Sequence, residues 1–108
     1  MDKPLISDVL PDFVEEIAYL LKEAGADPLI DQVRAARIDS ICDCGDENCA
    51  SFATSEEVKV ASVVELQAIE GNLIIDLNAT EKICFIEVLG RPDIRYLIEE
   101  YYDAASKP

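Results

Sequence analysis

The alternation of apolar and polar residues from Val58 to Leu89 is the tightest constraint in this chain, because its period is that of a β-strand and its two arms agree on one register. Gly71-Asn72 is a turn dipeptide. A two-residue loop there sets Glu70 opposite Leu73, Ala68 opposite Ile75 and Leu66 opposite Leu77. Val58, Val60, Val64, Leu66 and Ala68 then share one face with Leu73, Ile75 and Leu77, while Lys59, Glu65, Gln67 and Asp76 take the other. The first face is expected to be core. The run from Ile83 to Leu89 is apolar on both sides and reads as a strand inside the sheet, buried on both faces, with helices over the face that the hairpin leaves partly polar.

Helical spacing recurs on either side of this sheet. Phe13, Val14, Ile17, Leu20, Leu21 and Ala24 predict an amphipathic helix from Pro11 that stops at Gly25. Asp27 as N-cap and Pro28 in the first helical position open a second helix, with Leu29, Ile30 and Val33 inward. Arg37 to Ile41 and Ser51 to Thr54 read as a strand pair around a cysteine loop. Gly90-Arg91-Pro92-Asp93 turns into a final helix with Ile94, Leu97, Ile98 and Tyr101 on one stripe, and the chain past Ala105 is expected to fray. The pattern predicts one α+β domain over residues 1–108: a mainly antiparallel sheet of about five strands, two N-terminal helices and one C-terminal helix.

With 23 acidic residues against 9 basic ones, the formal charge of −14 disfavours nucleic-acid phosphates and anionic membranes, and favours a cationic partner or ion as well as solubility. No basic start precedes an apolar core, and no run approaches the ~20 apolar residues of a membrane span. A cytoplasmic protein is expected. In a reducing compartment the four cysteines are more readily thiols or metal ligands than a disulfide framework.

Three of those cysteines fall within the eight residues Cys42-Asp43-Cys44-Gly45-Asp46-Glu47-Asn48-Cys49. A tight turn with glycine after the second cysteine is how small zinc knuckles gather thiolates. The C-x-C spacing departs from the usual C-x-x-C, and the chain has no histidine, so a fourth ligand has to come from Asp43, Asp46, Glu47, Cys84 or water. Metal binding, a Cys42 to Cys49 cross-strand disulfide and plain packed thiols are the three readings. Asp39, Asp43, Asp46, Glu47, Glu56 and Glu57 surround the cluster with no lysine or arginine between 39 and 57. That charge attracts a divalent cation and opposes thiolate formation, which argues against a reactive-cysteine enzyme. Cys84 reads as a small core residue. Asp76 and Glu87 can face each other across strands as an acid/base pair or stand as solvated charges, and Tyr96, Tyr101 and Tyr102 read as partial core and rim.

The run Cys42-x-Cys44-Gly45-x-x-x-Cys49-x-Ser51-Phe52, with Ile86-Glu87-Val88-Leu89-Gly90-Arg91-Pro92-Asp93, resembles a group of short bacterial proteins of unknown function. Ile75-Asp76-Leu77 through Ile86-Glu87-Val88-Leu89 also resembles the closing hairpin of a small bacterial domain of unknown function, although Asn78-Ala79-Thr80-Glu81-Lys82 lacks that pattern's glycine. Neither resemblance implies an activity. By elimination the sequence reads as a small acidic non-enzymatic module that binds a cationic protein partner through Asp43, Asp46 and Glu47. The alternative is a zinc protein using Cys42, Cys44 and Cys49.

Overall fold

The computed structural model describes residues 3–106 except Asp43 and Glu47, with 105 and 106 described by backbone alone. The elements are α1 (Ile6–Val9), α2 (Pro11–Glu23), α3 (Pro28–Ala35), β1 (Ser40–Ile41), β2 (Phe52–Ala53), β3 (Ser62–Leu66), β4 (Asn72–Leu77), β5 (Ile83–Leu89) and α4 (Pro92–Ser106). The strands form one antiparallel sheet in the order β1-β2-β5-β4-β3, so the fold is α+β as expected. None of the described helices is long and apolar enough to cross a membrane.

Helix ends follow from their local residues. Gly25, at φ +73, closes α2 by a Schellman arrangement: Ala26 N–H donates to the Leu21 carbonyl at 2.8 Å and Gly25 N–H to that of Lys22 at 3.1 Å. Asp27 precedes α3 as expected, but its backbone is already helical and its side chain makes no capping bond. The backbone carbonyls of Ala26 and Asp27 take the first N–H groups instead. The four-residue α1 is too short to leave a periodic stripe and was not expected. In α4 the buried stripe is Ile94 and Ile98, continued by Tyr102, whereas Leu97 and Tyr101 are exposed, which corrects the expected stripe. The helix continues through Ser106, and residues 107 and 108 lie outside those described.

Helices and sheet meet on the apolar face. Leu66, Leu73, Ile75, Leu77, Ile86 and Val88 share one core with Phe13, Ile17, Leu21, Val33, Ile94 and Ile98. The helices therefore do not cover the partly polar face, as had been expected from β5. The cause is a bulge: Asp76 pairs with Phe85 but Leu77 with Ile83, leaving Cys84 as an extra residue. Ile83 thereby returns to the helix side with Ile86 and Val88, and the run looks apolar on both sides although Leu89 is exposed and Phe85 only half-buried.

The first hairpin keeps its faces but not its register. Leu66 pairs with Leu73, Val64 with Ile75 and Ser62 with Leu77, so Leu77 meets a residue four places earlier than the two-residue turn requires. An even displacement leaves Val64 and Leu66 on the core side. Val58 and Val60 lie ahead of β3 and are exposed, which removes them from the expected core. Gly71 is needed for another reason than a turn dipeptide. It sits at φ +67, and a Cβ there would stand 2.1 Å from the Leu89 carbonyl oxygen, because the 67–71 connection runs against the end of β5.

The second hairpin turns without glycine because side chains hold it. Asn78 Oδ1 accepts from Thr80 N–H, Thr80 Oγ1 and Lys82 N–H at 3.0, 2.8 and 3.0 Å, while Glu81 takes φ 62. From α3, the Gln32 amide donates to the Glu81 carbonyl at 3.0 Å and accepts from Ile83 N–H at 2.9 Å.

Replacing Gly71 by alanine is expected to lower stability by at least about 2 kcal/mol, since strain at positive φ adds to a clash with backbone that cannot swing away. Gly25→Ala, at similar φ with open space around the added carbon, is the control and should cost about 1 kcal/mol. Urea midpoints of the two variants check this; equal losses would show that the close approach to β5 yields at no cost.

Candidate metal centre

The cysteine loop joins β1 to β2 and is tied down at both ends by backbone bonds. Cys42 N–H donates to the Ser51 carbonyl at 2.9 Å, extending the β1–β2 ladder by one step. On the other arm Cys49 forms a bridge with Leu89, Ala50 N–H donates to the Val88 carbonyl at 2.8 Å, and Gly90 N–H to that of Asn48 at 2.9 Å. Between the arms, Asp46 turns the chain: its Oδ1 accepts from Asn48 N–H at 2.9 Å and its carbonyl from Cys49 N–H at 3.0 Å. Gly45 takes φ +78 beside it.

This path brings together the three cysteines that the sequence pointed to. The Sγ atoms of Cys42, Cys44 and Cys49 all lie within 4.8 Å of one another, as free thiols. Thiolates at the ~2.3 Å bond length of zinc form a tetrahedron with edges of roughly 3.8 Å, a spacing close to that of sulfurs lying within 4.8 Å of one another. The three differ in exposure, Cys49 being buried, Cys42 half-buried and Cys44 exposed, and the cluster opens to solvent on the Cys44 side.

Their proton affinities differ as well. Burial, reinforced by hydrogen bonds with Cys44 and Cys49, pushes the Cys42 thiol up to about 11. Burial also raises Cys49, but hydrogen bonds from the Ser51 side chain and backbone and from the other two thiols outweigh it and bring Cys49 below the ordinary thiol range. Ser51 is buried and held in turn by β5: its Oγ accepts from Val88 N–H at 2.9 Å and lies 3.5 Å from Cys49 Sγ.

Arg95 is the residue that sequence reasoning missed. It reaches from α4 so that Nη1 donates to the carbonyls of Cys49 at 2.9 Å and Cys42 at 3.4 Å, while Nε is held by Glu99 at 2.6 Å. A guanidinium thus stands beside a cluster whose own segment has no base, which corrects the expectation of wholly acidic surroundings. The only local signal was the i,i+4 pairing of Arg95 with Glu99, and that says nothing of a loop 46 residues away.

Of the proposed fourth ligands, Asp46 is not a member of the sulfur group and is engaged in the turn, and Asp43 and Glu47 lie outside the described residues. Cys84 is excluded by position. It is fully buried at the β5 bulge with Sγ 3.5 Å from the Asp76 carbonyl oxygen, as its core reading requires. Tyr101 and Tyr102 meet edge to face at 5.7 Å, and Tyr96 is exposed.

Asp76 and Glu87 do come together, on the face away from the helices, but Asp76 is not a solvated charge. It is 4 % exposed and its Oδ1 has no hydrogen-bond partner. Burial first, then the hydrogen bond and charge of Glu87, push its carboxyl up to about 7. An unfolded aspartate titrates near 3.8, so between about pH 4 and 7 the folded chain binds more protons than the unfolded one. Stability should fall across that window as pH rises, by an amount on the order of 2–4 kcal/mol, and the loss should persist above it. Asp76→Asn is expected to abolish this component. The difference in urea stability between wild type and variant, followed from pH 4 to 8, isolates it from the general repulsion of an acidic chain; a difference independent of pH would mean that Asp76 is ionised in the native protein.

Compared with protein-family models, with curated proteins and with solved structures, the chain matches none, so the reading of the cysteine cluster rests on its own geometry.

Proposed function

We propose that the protein is a metal-binding module in which Cys42, Cys44 and Cys49 hold a zinc ion as thiolates. The observation that carries this is the convergence of three sulfurs within 4.8 Å on a loop fixed at both ends to the sheet. Soft thiolates select zinc or copper(I) over magnesium or calcium. Zinc commonly takes four ligands, so three sulfurs would leave a fourth place to be filled by water.

The surroundings support a cation. Asp39 and Asp46 add negative charge, and the Arg95 guanidinium is directed at the carbonyls of Cys42 and Cys49, where it braces the loop. Zinc takes its sulfur ligands as thiolates and burial holds the proton on Cys42, so affinity should rise with pH. The acidic partner-binding reading draws less from this loop. The Asp46 carboxylate, though exposed, is engaged in capping its own turn, and the other two acids invoked for it, Asp43 and Glu47, lie outside the described residues.

Protein purified under reducing conditions is expected to take up one zinc ion per chain, measured by elemental analysis and by competition with a chromophoric chelator. Cys44→Ser should weaken binding beyond the 10–100-fold typical of losing an outer-shell partner, and the triple serine variant should bind none. Cobalt(II) should give a thiolate charge-transfer band that shrinks by about a third in Cys44→Ser. The triple variant should still unfold cooperatively, because none of the three sulfurs belongs to the main core cluster. Equal metal uptake by wild type and triple variant would defeat the proposal.

A further inference from the structure

A second surface lies on α2, at the hairpin connection. A groove of about 700 Å³ runs between the outer edge of α2, which offers Glu16, Tyr19, Leu20 and Glu23, and the 67–71 connection, which offers Ile69 and Glu70. Ile69 is 99 % exposed and Tyr19 63 % exposed. One bare apolar residue needs no explanation, but an isoleucine and a tyrosine lining the same groove form a patch. Ile69 is not displayed by a loose loop. On one side Ala68 packs against the core and donates its N–H to the Leu66 carbonyl at 2.9 Å, and on the other Gly71 is wedged against the end of β5.

The charge of this groove is one-sided. Its lining has three carboxylates, Glu16, Glu23 and Glu70, against the single guanidinium of Arg91. That guanidinium is already held by Glu16 at 2.8 Å and Asp93 at 3.1 Å, above the Phe13 ring. Glu23 on one wall and Glu70 on the other form no ion pair among the described residues. A ligand that satisfies both features has an apolar surface for Tyr19, Leu20 and Ile69 and cationic tips for the two carboxylates.

We infer that this groove is the docking site for a basic amphipathic segment of a partner protein, with lysine or arginine side chains reaching Glu23 and Glu70 and apolar side chains packing on Ile69 and Tyr19. Long basic side chains suit such a place because their stems cover apolar surface while their charged ends stay at the carboxylates. An acidic segment, a nucleic acid or an anionic membrane meets the wrong sign of charge. The site is separate from the cysteine loop and does not depend on metal binding.

The test uses the whole chain and a fluorescent 14-residue peptide of lysine and leucine at helical spacing, with a glutamate and leucine peptide of the same pattern as control. Anisotropy should show binding of the first alone, weakening with salt. Methyl resonances of Ile69 and Leu20 should shift. Ile69→Ala should weaken binding about tenfold, and Glu23→Gln with Glu70→Gln several-fold with a flatter salt dependence, whereas Glu56→Gln and Cys44→Ser should leave it unchanged. Circular dichroism confirms that each variant is folded. Equal affinity in Ile69→Ala, or shifts spread over the acidic surface without Ile69, would overturn the inference. So would tight binding of the polyamine spermine with the same shifts, which would mark a small-amine site. Self-association abolished by Ile69→Asp would also overturn it, since the occupant would then be a second copy.

Discussion

The pairing of β5 on both edges is the constraint on which the other parts depend. It takes β2 on one side and β4 on the other, and its side chains Ile86 and Val88 are fully buried under the helices. The elements around the candidate site are fastened to its last residues. Ser51 bonds to Val88 through its hydroxyl, Cys49 bridges to Leu89, Asn48 takes the Gly90 amide, and α4 starts at Pro92. Local opening is rarest where backbone is most deeply paired and buried. The cysteine loop therefore inherits order from the strand beneath it, although it contributes little apolar surface of its own.

That attachment accounts for the asymmetry of the three sulfurs. The one nearest β5, Cys49, is buried and receives hydrogen bonds that favour its thiolate. Cys42, at the end of β1, is half-buried and keeps its proton strongly, while Cys44 is at the exposed tip. In a thiolate site the Cys42 proton would have to leave before that sulfur could hold an ion, which would couple metal capture to proton release. Arg95 holds the carbonyls at both ends of the loop, fixing the separation of its arms by hydrogen bonds.

What the sequence could reveal follows from how far each signal reaches. Alternation assigned Val64, Leu66, Leu73, Ile75 and Leu77 to one face despite a wrong register, because the true pairing differs by an even step. It failed at Ile83 to Leu89, where the bulge at Cys84 produces the same apolar run as a strand covered on both sides. The grouping of Cys42, Cys44 and Cys49 was legible since all three lie on one short loop. Arg95 beside that loop, Gln32 clasping the turn at Glu81 and the burial of Asp76 were not, because each depends on contacts made only when distant elements pack.

The start of α4 carries a further consequence of packing. A helix N-terminus bears partial positive charge and favours acids, yet Arg91 immediately precedes this one and Arg95 lies in its first turn. Each is tolerated because something anionic or dipolar from another segment faces it. Arg91 has Glu16 from α2 and Asp93 from its own turn, and Arg95 has Glu99 and the two cysteine carbonyls. The two arginines point different ways, one bracing the wall of the groove and the other the base of the cysteine loop. Exposed ion pairs contribute little, but the Arg91 side chain is 11 % exposed and stacks over Phe13, so its bonds to Glu16 and Asp93 act where screening is weaker. Both candidate surfaces thus rest on one helix terminus, whose two cations are each shared between an acid of α4 itself and a group of another segment.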